Sequence, residues 1–182
     1  MRLFVALNVP TDHWRLDLPE SIPGVDARWV VPDQWHVTLQ FIGAVDRSDL
    51  ARYKDALASI EAPPAVLRPY GLDVLPRRHA PRVLTIGVDR TDSLMTCHSA
   101  VQRAMSAIGV TTERQEFRPH VTLARLRDDA DAEAVHQYRT KHTRHAAALP
   151  AHTAPAVHLY ESIQTENGTT YDEQLTVPLM HS

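Results

Sequence analysis

The tetrapeptide His-Val-Thr-Leu occurs twice, at His36–Leu39 and again at His120–Leu123. Each of these residue types makes up about a tenth of ordinary sequence or less, so a chance repeat of all four is improbable in a chain of 182 residues. On a strand, positions i and i+2 share a face, so His36 projects beside Thr38 and His120 beside Thr122, while the intervening Val and Leu point into a core. If the two motifs face each other, two imidazoles and two hydroxyls line one cleft. That set suits displacement at a phosphodiester. One neutral His takes a proton from the attacking water, and one protonated His gives a proton to the departing oxygen. The Thr hydroxyls bond the non-bridging oxygens as charge builds up. Neither a metal nor an organic cofactor is required, and none is expected.

The segments around the motifs must position them. Leu3–Val9 is an apolar run stopped by Pro10, hence a buried strand, with Thr11 and Asp12 placed to cap a brief helix. Arg28–Val31 reads as a strand, and so does His36–Ile42, closed by Gly43. Leu50, Tyr53, Leu57 and Ile60 fall at helical spacing within Asp46–Ile60, which Pro63 ends. Ala65–Leu75 is extended, Val83–Val88 is a buried strand, and Asp92–Ile108 is an amphipathic helix stopped by Gly109. His120–Leu126 is a strand, Asp129–Ala148 an Ala-rich helix, and Ala156–Gln164 with Thr170–Leu179 a hairpin around Asn167-Gly168. The order describes an α+β protein. The pairing of LFVALNV with the first HVTL and of VLTIGV with the second suggests a duplicated lobe.

These residues carry a family resemblance. The paired H-x-T-hydrophobic motifs resemble those of the 2H phosphoesterase superfamily, and within it the RNA 2′,3′-cyclic phosphodiesterases, historically called 2′-5′ RNA ligases. MRLFVAL, RWVVPDQWHVTLQFIG, FRPHVTLARL and LYESIQTENGTTYDEQLTVPL stand in that family's order and cover nearly the whole chain. The resemblance implies a bilobal fold, one domain over residues 1–182, with two pseudo-symmetric lobes, antiparallel sheets around a central cleft and helices outside. It implies His36 as general acid and His120 as general base in opening a 2′,3′-cyclic phosphate on RNA to a 2′-phosphate. A 2′-5′ ligase or phosphodiesterase would use the same site, and a non-catalytic module for RNA ends would use the same cleft.

Other residues leave alternatives open. Arg125 lies five residues after His120, so on a regular strand it faces away, and only a bulge or the strand end would turn it in. Phe41, equally spaced from His36, is either core or a surface for stacking a base. Arg118, before Pro119, meets phosphate from a loop or stays on the surface. Trp29 and Trp35 flank the first motif with the same two readings. Arg77, Arg78, His79 and Arg82 form a basic loop that could guide an RNA end. The nine remaining histidines have structural explanations. His142 and His145, three apart on a helix, invite a metal, but no acidic ligand at matching spacing completes a site.

Composition narrows the classes. One cysteine, Cys97, excludes a disulfide framework and a multi-cysteine zinc site. With 19 Lys and Arg against 22 Asp and Glu, net charge −3, the chain does not suit coating nucleic acid non-specifically. Partners consistent with this balance are single RNA ends carrying a cyclic phosphate, tRNA fragments or nucleotides. No leader or membrane-spanning run is apparent, so a cytoplasmic monomer without membrane attachment is expected.

Overall fold

A computed structural model describes residues 1–77, 80–111, 116–166 and 168–180. The strands are β1 (Arg2–Asn8), β2 (Ala27–Trp29), β3 (His36–Ala44), β4 (Ala65–Leu67), β5 (Pro69–Leu75), β6 (Val83–Val88), β7 (His120–Leu126), β8 (His152–Ala154), β9 (Ala156–Thr165) and β10 (Gly168–Pro178). The helices are α1 (Leu50–Ala58), α2 (Asp92–Ala107) and α3 (Ala132–Ala147). The architecture is α+β with antiparallel pairing throughout. The principal sheet runs β10-β9-β1-β3-β7-β6-β5, with β2 on the free part of the β7 edge and β4-β8 as a separate pair.

The order of strands explains the repeat. β1 pairs with β3 in one half, and β6 pairs with β7 in the other. The halves join where Val37 of β3 faces Val121 of β7, both fully buried. Because Val37 and Val121 point into the core, their neighbours His36, Thr38, His120 and Thr122 must share the opposite face. Burying two valines at this junction stabilises it by about 1.5–3 kcal/mol each.

The helices back the sheet. Thr91 caps α2, its hydroxyl accepting from the Leu94 N–H, and Leu94, Cys97, Val101 and Met105 form its buried stripe. Asp131 caps α3 by accepting from the Glu133 and Ala134 N–H groups, and α3 packs on β5. There the Tyr138 ring packs tilted against the buried ring of His142, with centroids 4.6 Å apart.

Several sequence expectations change. No helix follows Pro10: residues 11–13 make a turn on the Pro10 carbonyl, because Trp14 is fully buried and its indole N–H reaches the Pro150 carbonyl at 2.9 Å. Trp35 is core, bonded to the Val30 carbonyl, and Trp29 packs on Tyr138. Gly43 does not close β3; it lies inside the strand at φ +88°, beside a bulge. The short strand β8, between Pro150 and Pro155, was not expected. Arg78, His79, Asn167 and His181 lie outside the described residues.

Candidate functional site

His36 and His120 are the first residues of β3 and β7, and each is fixed in the same way. The Nδ1 of His36 lies 2.8 Å from the Gln34 carbonyl, and that of His120 lies 2.8 Å from the Arg118 carbonyl. In the neutral ring Nδ1–H therefore donates to the backbone, leaving Nε2 as the outward base. Phe4 and Tyr171 clamp His36, with ring centroids at 5.0 Å and 5.1 Å, the second perpendicular. Burial pushes the His36 imidazole below its ordinary value, against the carbonyl bond, and positive charge on His120 and Arg125 pushes it further. Burial also lowers His120, opposed by the Arg118 carbonyl and by the Asp73 carboxylate, with Arg125 again lowering.

A bulge decides what else joins them. Opposite β6, the register slips so that Leu84 faces Ala124 and Thr85 faces Thr122, placing Leu123 in a bulge. Opposite β1, Val5 faces Gln40 and Ala6 faces Thr38, placing Leu39 in the equivalent bulge. One extra residue inverts the alternation beyond it, so Arg125 and Phe41 emerge on the same face as the histidines. Both are exposed, Phe41 by 59%. The core reading of Phe41 is thus overturned, and Arg125 is turned inward by the bulge.

Further residues on this face had no sequence signal. Asp73 of β5 lies in the row of Thr85 and Thr122. It is buried yet holds the Tyr70 hydroxyl, the Arg77 guanidinium and the Val74 N–H. Burial alone would raise the Asp73 carboxyl, but those hydrogen bonds keep it below the usual carboxylate range. The Tyr70 ring covers Gly87, the residue paired with His120; a Cβ there would fall 2.0 Å from the ring. On the other half, His158 occupies the row of Ala6 and Thr38, its Nδ1 2.8 Å from Glu173, while the Tyr160 hydroxyl donates to Asn8 beside His36. These residues were invisible because their meeting depends on strand register across elements distant in sequence.

A cleft of about 810 Å³ opens over the site, lined among others by Thr38, Phe41, Arg77, Arg118 and His120. Arg82, also at its edge, pairs with Asp128.

The chain resembles known proteins along most of its length. A family model described as LigT like Phosphoesterase matches residues 11–85. The RNA 2′,3′-cyclic phosphodiesterase of Archaeoglobus fulgidus is 30% identical over 132 residues, 70% of this chain and 73% of that protein. The chain belongs to the LigT-like phosphoesterase family. The RNA 2′,3′-cyclic phosphodiesterase of Aeropyrum pernix is 37% identical over 105 residues, a match spanning 57% of this chain and 60% of that protein's length. The LigT-like fold extends over the whole molecule: E. coli LigT in complex with 3′-AMP superposes with a TM-score of 0.73 at 20% identity, covering 99% of this chain and 98% of the other.

Proposed function

We propose that this LigT-like phosphoesterase is an RNA 2′,3′-cyclic phosphodiesterase, opening a terminal cyclic phosphate to a 2′-phosphate by two-histidine acid–base catalysis without a metal. The observation that carries the reading is the matched pair of imidazoles, each tethered through Nδ1 to a carbonyl two residues back, each with a threonine on its own face. The names of the Archaeoglobus and Aeropyrum relatives support it. Water attacks phosphorus and gives its proton to Nε2 of His120. The P–O3′ bond breaks as Nε2–H of His36 protonates the departing O3′. The Thr38 and Thr122 hydroxyls and the Arg125 guanidinium meet the non-bridging oxygens, where charge accumulates. Phe41 offers its exposed ring to the terminal base. Arg118, at the cleft edge, meets the backbone of the RNA or tRNA fragment that precedes it.

The decisive experiment incubates the protein, with excess chelator, on an oligoribonucleotide ending in a 2′,3′-cyclic phosphate. Appearance of the 2′-phosphate is expected, and an unchanged end would overturn the reading. One observation favours exchanged roles. Asp73 draws the proton toward His120, positive charge on His120 opposes it on His36, and Arg125 opposes it on both. A substrate whose departing 3′ atom is sulfur needs no general acid, so it restores turnover selectively to whichever histidine variant lost the acid. Ligation through a 2′-5′ bond would employ the same groups in reverse.

A further inference from the structure

The wall of the cleft contributed by α2 carries two polar side chains that phosphate chemistry does not use. His98 and Gln102 are four residues apart, so they stand one above the other on one helix face, and both line the cleft. His98 is only 5% exposed and lies flat on Phe117, with ring centroids 3.7 Å apart and planes within 6°. Among the described residues no protein group hydrogen-bonds to its ring nitrogens, and neither nitrogen is a sealed, unpartnered atom. A nearly buried imidazole is stabilised by partners for its nitrogens. His98 nevertheless lines the cleft, and Gln102 lines it beside His98. Thr38 and the exposed Phe41 ring line the same cleft.

We propose that His98 and Gln102 read the hydrogen-bonding edge of the terminal nucleobase, making α2 the specificity wall of the cleft. This rests on the proposed function for its substrate but adds residues and a role. A planar heterocycle with donors and acceptors around its rim is the ligand class that fits. One Gln offers a donor and an acceptor side by side, and a neutral imidazole offers one of either. Adenine, whose edge matches a carboxamide in two bonds, is the base expected to be favoured.

The test measures kcat/KM on the four nucleoside 2′,3′-cyclic phosphates and, separately, equilibrium binding of the four nucleoside 3′-monophosphates. The variants are Gln102→Leu, which changes a partly exposed helix position, and His98→Phe, which keeps the stack on Phe117. Wild type is expected to prefer one base by about tenfold or more, and both variants to compress the ranking to about twofold. A wild-type ranking already flat, or one that both variants retain, overturns the proposal. Absence of turnover on every cyclic phosphate overturns the catalytic reading instead, and the binding series still decides whether α2 reads a base.

Discussion

The two halves of the sheet start from the same four residues and diverge around them. Both hold a histidine by a carbonyl two residues back, both follow the threonine with a one-residue bulge, and both turn the residue five beyond the histidine inward. The neighbours differ at each matched row. Beside His36 stands Asn8, where beside His120 stands Gly87 under the Tyr70 ring. Next to Thr38 the row continues to Ala6 and His158; next to Thr122 it continues to Thr85 and the buried Asp73. The inward residue is Phe41 in one half and Arg125 in the other. Backbone geometry is matched where the two histidines proposed to transfer protons stand, and side chains diverge where one half offers an aromatic surface and the other a charge.

The largest effect should fall on what the halves share. His36→Ala and His120→Ala should each lower turnover of a cyclic phosphate by about 10²–10⁴-fold. The double variant should be little worse than either, because the pair acts as a unit. Near wild-type rates in both single variants would remove the premise of the comparison.

The next effects probe where the halves differ. Arg125→Ala should cut kcat by roughly 10–100-fold through lost charge stabilisation. Phe41→Ala should instead raise KM by about tenfold, from lost base stacking. Equal effects of both on the same parameter would show that the halves had not separated. Removing the Arg125 cation also lifts both histidines, so both limbs of the pH profile should move to higher pH.

Asp73→Asn gives a subtler shift. Because both imidazoles lie below 6.5, the bell-shaped profile of kcat/KM should centre on the acid side of that value. Asp73 raises His120, so its removal should move one limb to lower pH. Movement of the acid limb identifies His120 as the base, and movement of the alkaline limb identifies it as the acid. The smallest effects concern stability. Gly87→Ala forces Tyr70 off its site and should cost about 1–3 kcal/mol in denaturant unfolding. Asn8→Ala, on the exposed matching position, should stay within about 0.5 kcal/mol.

The sequence showed the halves but not their differences. HVTL, with its alternation, was enough to place His36, Thr38, His120 and Thr122 on strand faces, and the hydrophobic periods located α1, α2 and α3 to within a few residues. Arg125 and Phe41 were open because a bulge inverts alternation and leaves no mark in Leu39 or Leu123. Trp14 defeated the short helix after Pro10 because its burial is a tertiary effect. Asp73, His98 and His158 looked ordinary because each gains meaning only from register with a strand or a cleft wall far along the chain.

The strand order has a consequence for how the molecule comes into being. β5, β6 and β7 lie within residues 69–126, so most of the half around His120 can assemble while the chain is still emerging from the ribosome. The half around His36 cannot: β1, which precedes the other strands here, pairs with β9, and Tyr171, which packs on His36, arrives with β10. β1 therefore stays without its β9 partner until more than 150 residues have been synthesised, a long exposure for an apolar edge. The first of these ten strands in chain order is among the last to be completed, and its waiting edge is the point at which chaperone binding or aggregation would compete with folding.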